Sequence, residues 1–107
     1  MGINIEIIQG LAKKERIAFK RHCLSRLHER KISVDEVKNV LLSGEIIEEY
    51  PGDYPLPSAL LLGFAQNNKP LHAVVAIDTE DQMLWVITTY IPDIELWDTA
   101  FQRREMK

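Results

Sequence analysis

At Glu45 the apolar periodicity of this 107-residue chain changes, and that switch constrains the fold more than any other feature of the sequence. Before it, apolar residues recur three and four apart, as the buried stripe of a helix does. After it they gather in alternations and short runs of strand length. Asn4 can cap a short helix through about Ala12, with Ile5, Ile8, Leu11 and Ala12 on one side, although Ile3, Ile5 and Ile7 also alternate as a strand would. Arg16 to Arg21 alternates charges with Ile17 and Phe19, which predicts a short strand or extended entry segment. Cys23 to Arg30 reads as a helix with Leu24 and Leu27 facing the core. Ser33-x-x-Glu36 is a capping box that opens the next helix; Val34, Val37, Val40 and Leu41 form its buried stripe, and Ser43-Gly44 ends it.

Beyond the switch, Glu45 to Tyr50 is a strand closed by the turn Pro51-Gly52-Asp53-Tyr54-Pro55. Leu60 to Phe64 is a second strand, followed by a turn at Asn67-Asn68. Leu71 to Ile77 and Met83 to Tyr90 are long apolar strands joined by Asp78-Thr79-Glu80-Asp81-Gln82. Their weak alternation predicts central strands covered on both faces. Pro92 stops the last strand, and Asp93 opens a final turn or helix through Trp97 and Phe101. The expected fold is a single α+β domain over residues 1–107, with helices on one face of a four-stranded, mostly antiparallel, meandering sheet.

Composition narrows the class. Apolar residues make up 46% and charged residues 27%, the balance of an ordinary globular domain. No run reaches the roughly 18 apolar residues of a membrane helix. Met1 to Glu6 lacks the basic region and apolar stretch of a signal peptide, and Cys23 stands alone, so a cytoplasmic protein without a disulfide is expected. The net charge of −3 argues against a generic nucleic-acid binder, but it is unevenly placed. Residues 13–31 hold eight basic side chains against Glu15 and Glu29, a local charge of +6 that leaves −9 elsewhere. One side of such a molecule attracts anions.

Two polar clusters stand out. His22-x-x-x-Arg26-x-x-x-Arg30 has helical spacing, which puts neighbours four apart side by side near a helix start. Two guanidiniums beside an imidazole can clamp a phosphate and exchange a proton with it. The same pattern also describes a solvated helix face whose arginines pair with Glu29 or Asp35. The second cluster is His72, at the mouth of an apolar strand, with Thr88 and Tyr90 on the next strand. A hairpin closing symmetrically about Glu80 places His72 directly across from Thr88 with Tyr90 nearby, and Thr89 on the opposite face. A histidine satisfied by a threonine hydroxyl is the structural alternative.

Trp85 and Trp97 fit the core or its rim, and Trp97 near Arg103-Arg104 could also stack on a base. Cys23 fits a small buried residue. His22, His28, His72 and Cys23 show no metal-ligand spacing, and no Gly-rich phosphate loop is present, so neither metal nor cofactor is expected.

The chain resembles a known family through an ordered set of stretches. They are His22-x-x-x-Arg26-x-x-x-Arg30-x-Ile32-Ser33, Glu45–Tyr50, Pro55-x-x-Ser58-x-Leu60, Pro70-Leu71-His72, Thr88-x-Tyr90-x-Pro92 and Trp97. The set is similar to the small bacterial family catalogued as domain of unknown function 4258, and the resemblance covers residues 5–104. It implies the barnase–EndoU–colicin–RelE fold of metal-independent RNases, and a toxin encoded beside a small zinc-finger antitoxin of the YgiT type. Asn67-Asn68-Lys69 stands where the family commonly has Gly-Arg, leaving Lys69 as the basic group, and Ala73 stands where valine is usual.

Two functions are therefore expected to compete. One is a metal-independent endoribonuclease toxin. His72 acts as general base or acid, His22 or Tyr90 is its counterpart, Thr88 orients it, and Arg26 stabilises charge. Arg30, Lys69 and Arg103 hold RNA phosphate. The other is a non-catalytic module docking an acidic protein partner through its basic helix.

Overall fold

The computed structural model describes residues 3–65 and 68–92. Three helices and five strands follow in the order α1 (Ile5–Lys13), β1 (Ile17–Phe19), α2 (Arg21–Arg30), α3 (Val34–Ser43), β2 (Glu45–Tyr50), β3 (Ser58–Phe64), β4 (Pro70–Asp78) and β5 (Met83–Tyr90). The class is α+β, as the periodicity switch requires. Asn4 caps α1 by accepting from the Glu6 N–H at 2.7 Å. Ser33 and Glu36 form the reciprocal capping box of α3. Both helices thus satisfy part of their unpaired first-turn donors locally.

The sheet has five strands, ordered β1-β5-β4-β3-β2, rather than four. Strands β2 to β5 form the expected antiparallel meander. The extra member is β1, which joins the outer edge of β5 in parallel and makes the sheet mixed. The alternation at Ile17 and Phe19 marks it as a short strand, but its pairing with β5, distant in sequence, was not expected. It is held through non-local bonds: Leu84 N–H donates to the Arg16 carbonyl at 2.9 Å, and the Arg16 guanidinium reaches the Asp81 and Gln82 carbonyls at 3.0 Å.

All three helices contribute to one core with the odd-numbered face of β3 and β4. Ile8, Leu11, Cys23, Leu27, Val37, Val40 and Leu41 pack with Leu61, Leu71, Ala73, Val75 and Val86. Two expected core positions turn outward: Leu24 is 47% exposed and Val34 is 37% exposed. On α2 the inward side is set by Cys23 and Leu27, four apart, which leaves Leu24 on the flank. Packing of α3 onto β3 is close enough to require glycine. A Cβ at Gly63 would lie 2.7 Å from Val40 Cγ2, and one at Gly44 would lie 2.7 Å from the Leu62 carbonyl.

The opposite face of the sheet carries Ser58, Leu60, Leu62, His72 and Ala76, and all five are buried. Cover on both faces is what the weak alternation predicted for the two long strands, and β4 has it. β5 does not, because its face away from the helices is only partly buried and Ile87 is exposed. Among the described residues no helix is long and apolar enough to cross a membrane. The final helix expected from Asp93, with Trp97, Phe101 and Arg103, lies outside the described residues.

Candidate functional site

The stripe on α2 does not act as a unit. An α-helix advances 3.6 residues per turn, so His22 and Arg30, eight apart, differ by roughly 80° around the axis. Arg30 turns to the sheet, where its Nη1 donates to the Thr89 carbonyl at 2.5 Å. Arg26 stays outward, 58% exposed, and pairs with Glu29 at 3.6 Å. That is the solvated-face alternative, realised for this residue, and such a pair contributes little to stability. His22 is exposed on the same outward side.

His72 is buried to 0% exposure. It alternates with Leu71 and Ala73, which face the helices, and Leu62 stands directly across on β3. The imidazole therefore lies on the face away from α2. The structure brings His72 and Tyr90 together but does not bring them into one pocket with His22 and Arg26.

Across the other ladder His72 pairs with Tyr90 rather than Thr88, which pairs with Val74. Two one-residue shifts cause this. The β4–β5 loop closes at Asp78 and Met83, with Asp78 Oδ1 accepting from the Asp81 N–H at 2.9 Å and Gln82 at a positive φ of 53°. A bulge opposite Val74 and Val75 then inserts Ile87 into β5. The two shifts compensate, so Thr88 and Tyr90 keep the face of His72. The His72 Nδ1 lies 3.4 Å from the Tyr90 hydroxyl, with the rings edge to face at 5.3 Å between centroids.

Thr89 takes the opposite face, as expected, and is buried against α2. Its Oγ1 has no hydrogen-bond partner of good geometry, although it sits beside the Cys23 thiol. Burial pushes the Cys23 thiol above its ordinary value, while the Thr89 hydroxyl and the Arg30 guanidinium act in the other direction. A thiol in that state is a core residue, not a nucleophile. Trp85 lies at the rim, with Lys20 Nζ 5.0 Å from its ring centroid.

A convergence does occur on the helix side of the sheet end. Arg30 and Lys31, from the end of α2, meet Lys69, from the approach to β4, around a concavity of about 320 Å³. Ile32, Leu71 and Ile91 form its apolar floor. Lys31 is fixed in the left-handed conformation, with φ of 56°, where its N–H closes the helix onto the His28 carbonyl. Neither Lys31 nor Lys69 forms an ion pair among the described residues. Lys31 had no motif to mark it, because only its capping conformation aims it at this site. Arg103 falls outside the described residues, and among those described no group of three or more His, Cys, Asp or Glu side chains could hold a metal.

The model of the family described as domain of unknown function (DUF4258) matches residues 19–91. The chain belongs to that family. No curated protein and no solved structure matches it. The matched span runs from the end of β1 to the residue after β5, so it contains α2, the concavity and the His72–Tyr90 pair.

Proposed function

We propose that this member of the DUF4258 family binds single-stranded RNA by its backbone, with the Arg30–Lys31–Lys69 concavity as the phosphate grip. The observation that carries the reading is the meeting of three cations from two distant segments around an apolar floor. Their positive charge exceeds that of the one carboxylate of the lining, Glu36, which is held in the capping box. A nucleotide offers both complements, an anionic phosphate for the rim and a flat apolar base or sugar for the floor. The concavity's 320 Å³ lies within the range of small-ligand pockets. Arg30 and Lys31 are the part of the +6 segment that lines this concavity, whereas Arg16 lies at the other end of the sheet, and the −9 remainder limits non-specific coating.

Anisotropy of a labelled, uridine-rich single strand, titrated at several salt concentrations, tests it. The Lys31→Ala/Lys69→Ala variant should bind several-fold more weakly, and each lost phosphate contact should reduce the salt slope by roughly 0.7. Wild-type affinity and slope in that variant would remove the grip.

A stronger form of the reading is a metal-independent endoribonuclease toxin with a zinc-finger antitoxin of the YgiT type as partner. The observation favouring it is that His72 and Tyr90 stand in one row at the sheet end that carries the concavity, on the opposite face of the sheet from it. A ribose 2′-OH would lose its proton to one of these groups or to His22 and attack the adjacent phosphorus. The 5′-oxygen would leave with a proton from the counterpart, producing a cyclic phosphate. Because His72 is wholly buried, this form also requires the strand end to open. Growth arrest on expression without a partner, lost in His72→Ala and in Arg26→Ala variants that retain their fold, supports it. Full activity in both variants excludes those roles. Tolerated expression without salt-dependent RNA binding would instead indicate an acidic protein partner docked on α2.

A further inference from the structure

A second concavity, of about 610 Å³, adjoins the basic one and shares Glu36 and Ala65 with it. Its chemistry is different. Phe64, at the end of β3, is 51% exposed and presents an aromatic surface there. Asp35 and Asn39 lie four apart on α3, so they share one side of the helix, and both line this concavity. Both are exposed, and neither side chain has a hydrogen bond or ion pair among the described residues. Ser33 and Glu36, by contrast, are committed to each other in the capping box. The combined groove thus has three cations at one end, Glu36 tied into the capping box at the junction, and an aromatic ring beside a free carboxylate and an amide at the other.

A carboxylate here repels phosphate, so the acidic end suits a part of the ligand that donates hydrogen bonds. A carboxylate only accepts, and it is best matched by two adjacent N–H donors. Guanine offers that pair, N1–H and the N2 amino group, with the O6 acceptor beside them for an amide N–H. Adenine turns a lone pair at N1 toward the same carboxylate, and inosine lacks the N2 amino group. A stacked base on an aromatic side chain with its Watson–Crick edge read by side chains is a common solution for single-stranded RNA.

We infer that the two concavities form one nucleotide groove selective for guanosine. Arg30, Lys31 and Lys69 take the phosphate, Phe64 stacks the base, and Asp35 with Asn39 reads its edge. This rests on the RNA-binding reading and adds the base preference.

The test uses the full chain and uridine-rich hexamers carrying a single central G, A or inosine, with affinity measured by fluorescence anisotropy. The G strand should bind roughly tenfold more tightly than the A strand, with inosine between them. Asp35→Asn should erase the G preference without weakening the A strand. Phe64→Leu should weaken every strand several-fold, and Phe64→Tyr should keep wild-type affinity. Equal affinity for G and A strands, with Lys69→Ala still weakening both, would overturn the guanosine groove and leave the phosphate grip standing. A G preference that survives Asp35→Asn would also overturn it. Absence of salt-dependent binding to any strand would remove both.

Discussion

The two faces of the sheet both bury the central strands β3 and β4, but they are held in different ways. The helix side is almost wholly apolar and closes by shape, with Val40 of α3 seated against Gly63. Its one buried polar side chain among the described residues, Thr89, has no hydrogen-bond partner of good geometry for its hydroxyl, which sits beside the Cys23 thiol. The other face buries Ser58 and His72 among leucines, and both are hydrogen-bonded: Ser58 Oγ donates to Asp53 Oδ2 at 2.5 Å, and His72 meets Tyr90. Dense packing tolerates little change of volume, whereas a polar row is sensitive to the loss of one partner. The faces should therefore fail under different substitutions.

The largest effect is expected from Gly63→Ala. The new Cβ would lie 2.7 Å from Val40 Cγ2 and 3.0 Å from Val40 Cα, so backbone must move, at a cost of about 2–3 kcal/mol in urea unfolding. Val40→Ala in the same chain should recover part of that loss; strictly additive losses would mean that the contact is not what limits the site. Tyr90→Phe should cost about 1 kcal/mol, by leaving His72 without its cross-strand hydroxyl. A neutral result would show that the second face closes by shape as well.

The smallest effect concerns Cys23. Burial raises its pKa in the folded state, so its contribution to stability is complete below the unfolded thiol's ordinary value of 9.0 and is lost as pH rises through the raised folded value. Wild type should lose more stability between pH 8 and pH 10 than Cys23→Ala does, measured by chemical denaturation. Identical slopes would remove the thiol from the balance.

The helices and the meander were legible because each is encoded locally. The Ser33/Glu36 capping box and the Glu45 switch act over a few residues. What the sequence hid depends on distant geometry. The short strand at Ile17 and Phe19 was legible, but its parallel docking on the edge of β5 was not. The His72 partner depends on a loop closure and a bulge that no periodicity reveals. For the same reason the arginine stripe was readable as a pattern but not as a site. Arg26 and Arg30 are alike in sequence, yet one pairs with a neighbour on its own helix and the other crosses to Thr89. Lys69 was identified through the family pattern, and its meeting with Lys31 required the fold.

The parallel seam between β1 and β5 has a consequence for how the protein is made. Ile17 pairs with Leu84, so the ribosome must finish β5 before β1, the second element of the chain, has a strand to bond with. Until then α2 emerges without the strand that it packs against, and the nascent first half stays available to chaperones, proteases or a waiting partner. The emergence of β5, more than any early local event, is the moment at which the sheet can close.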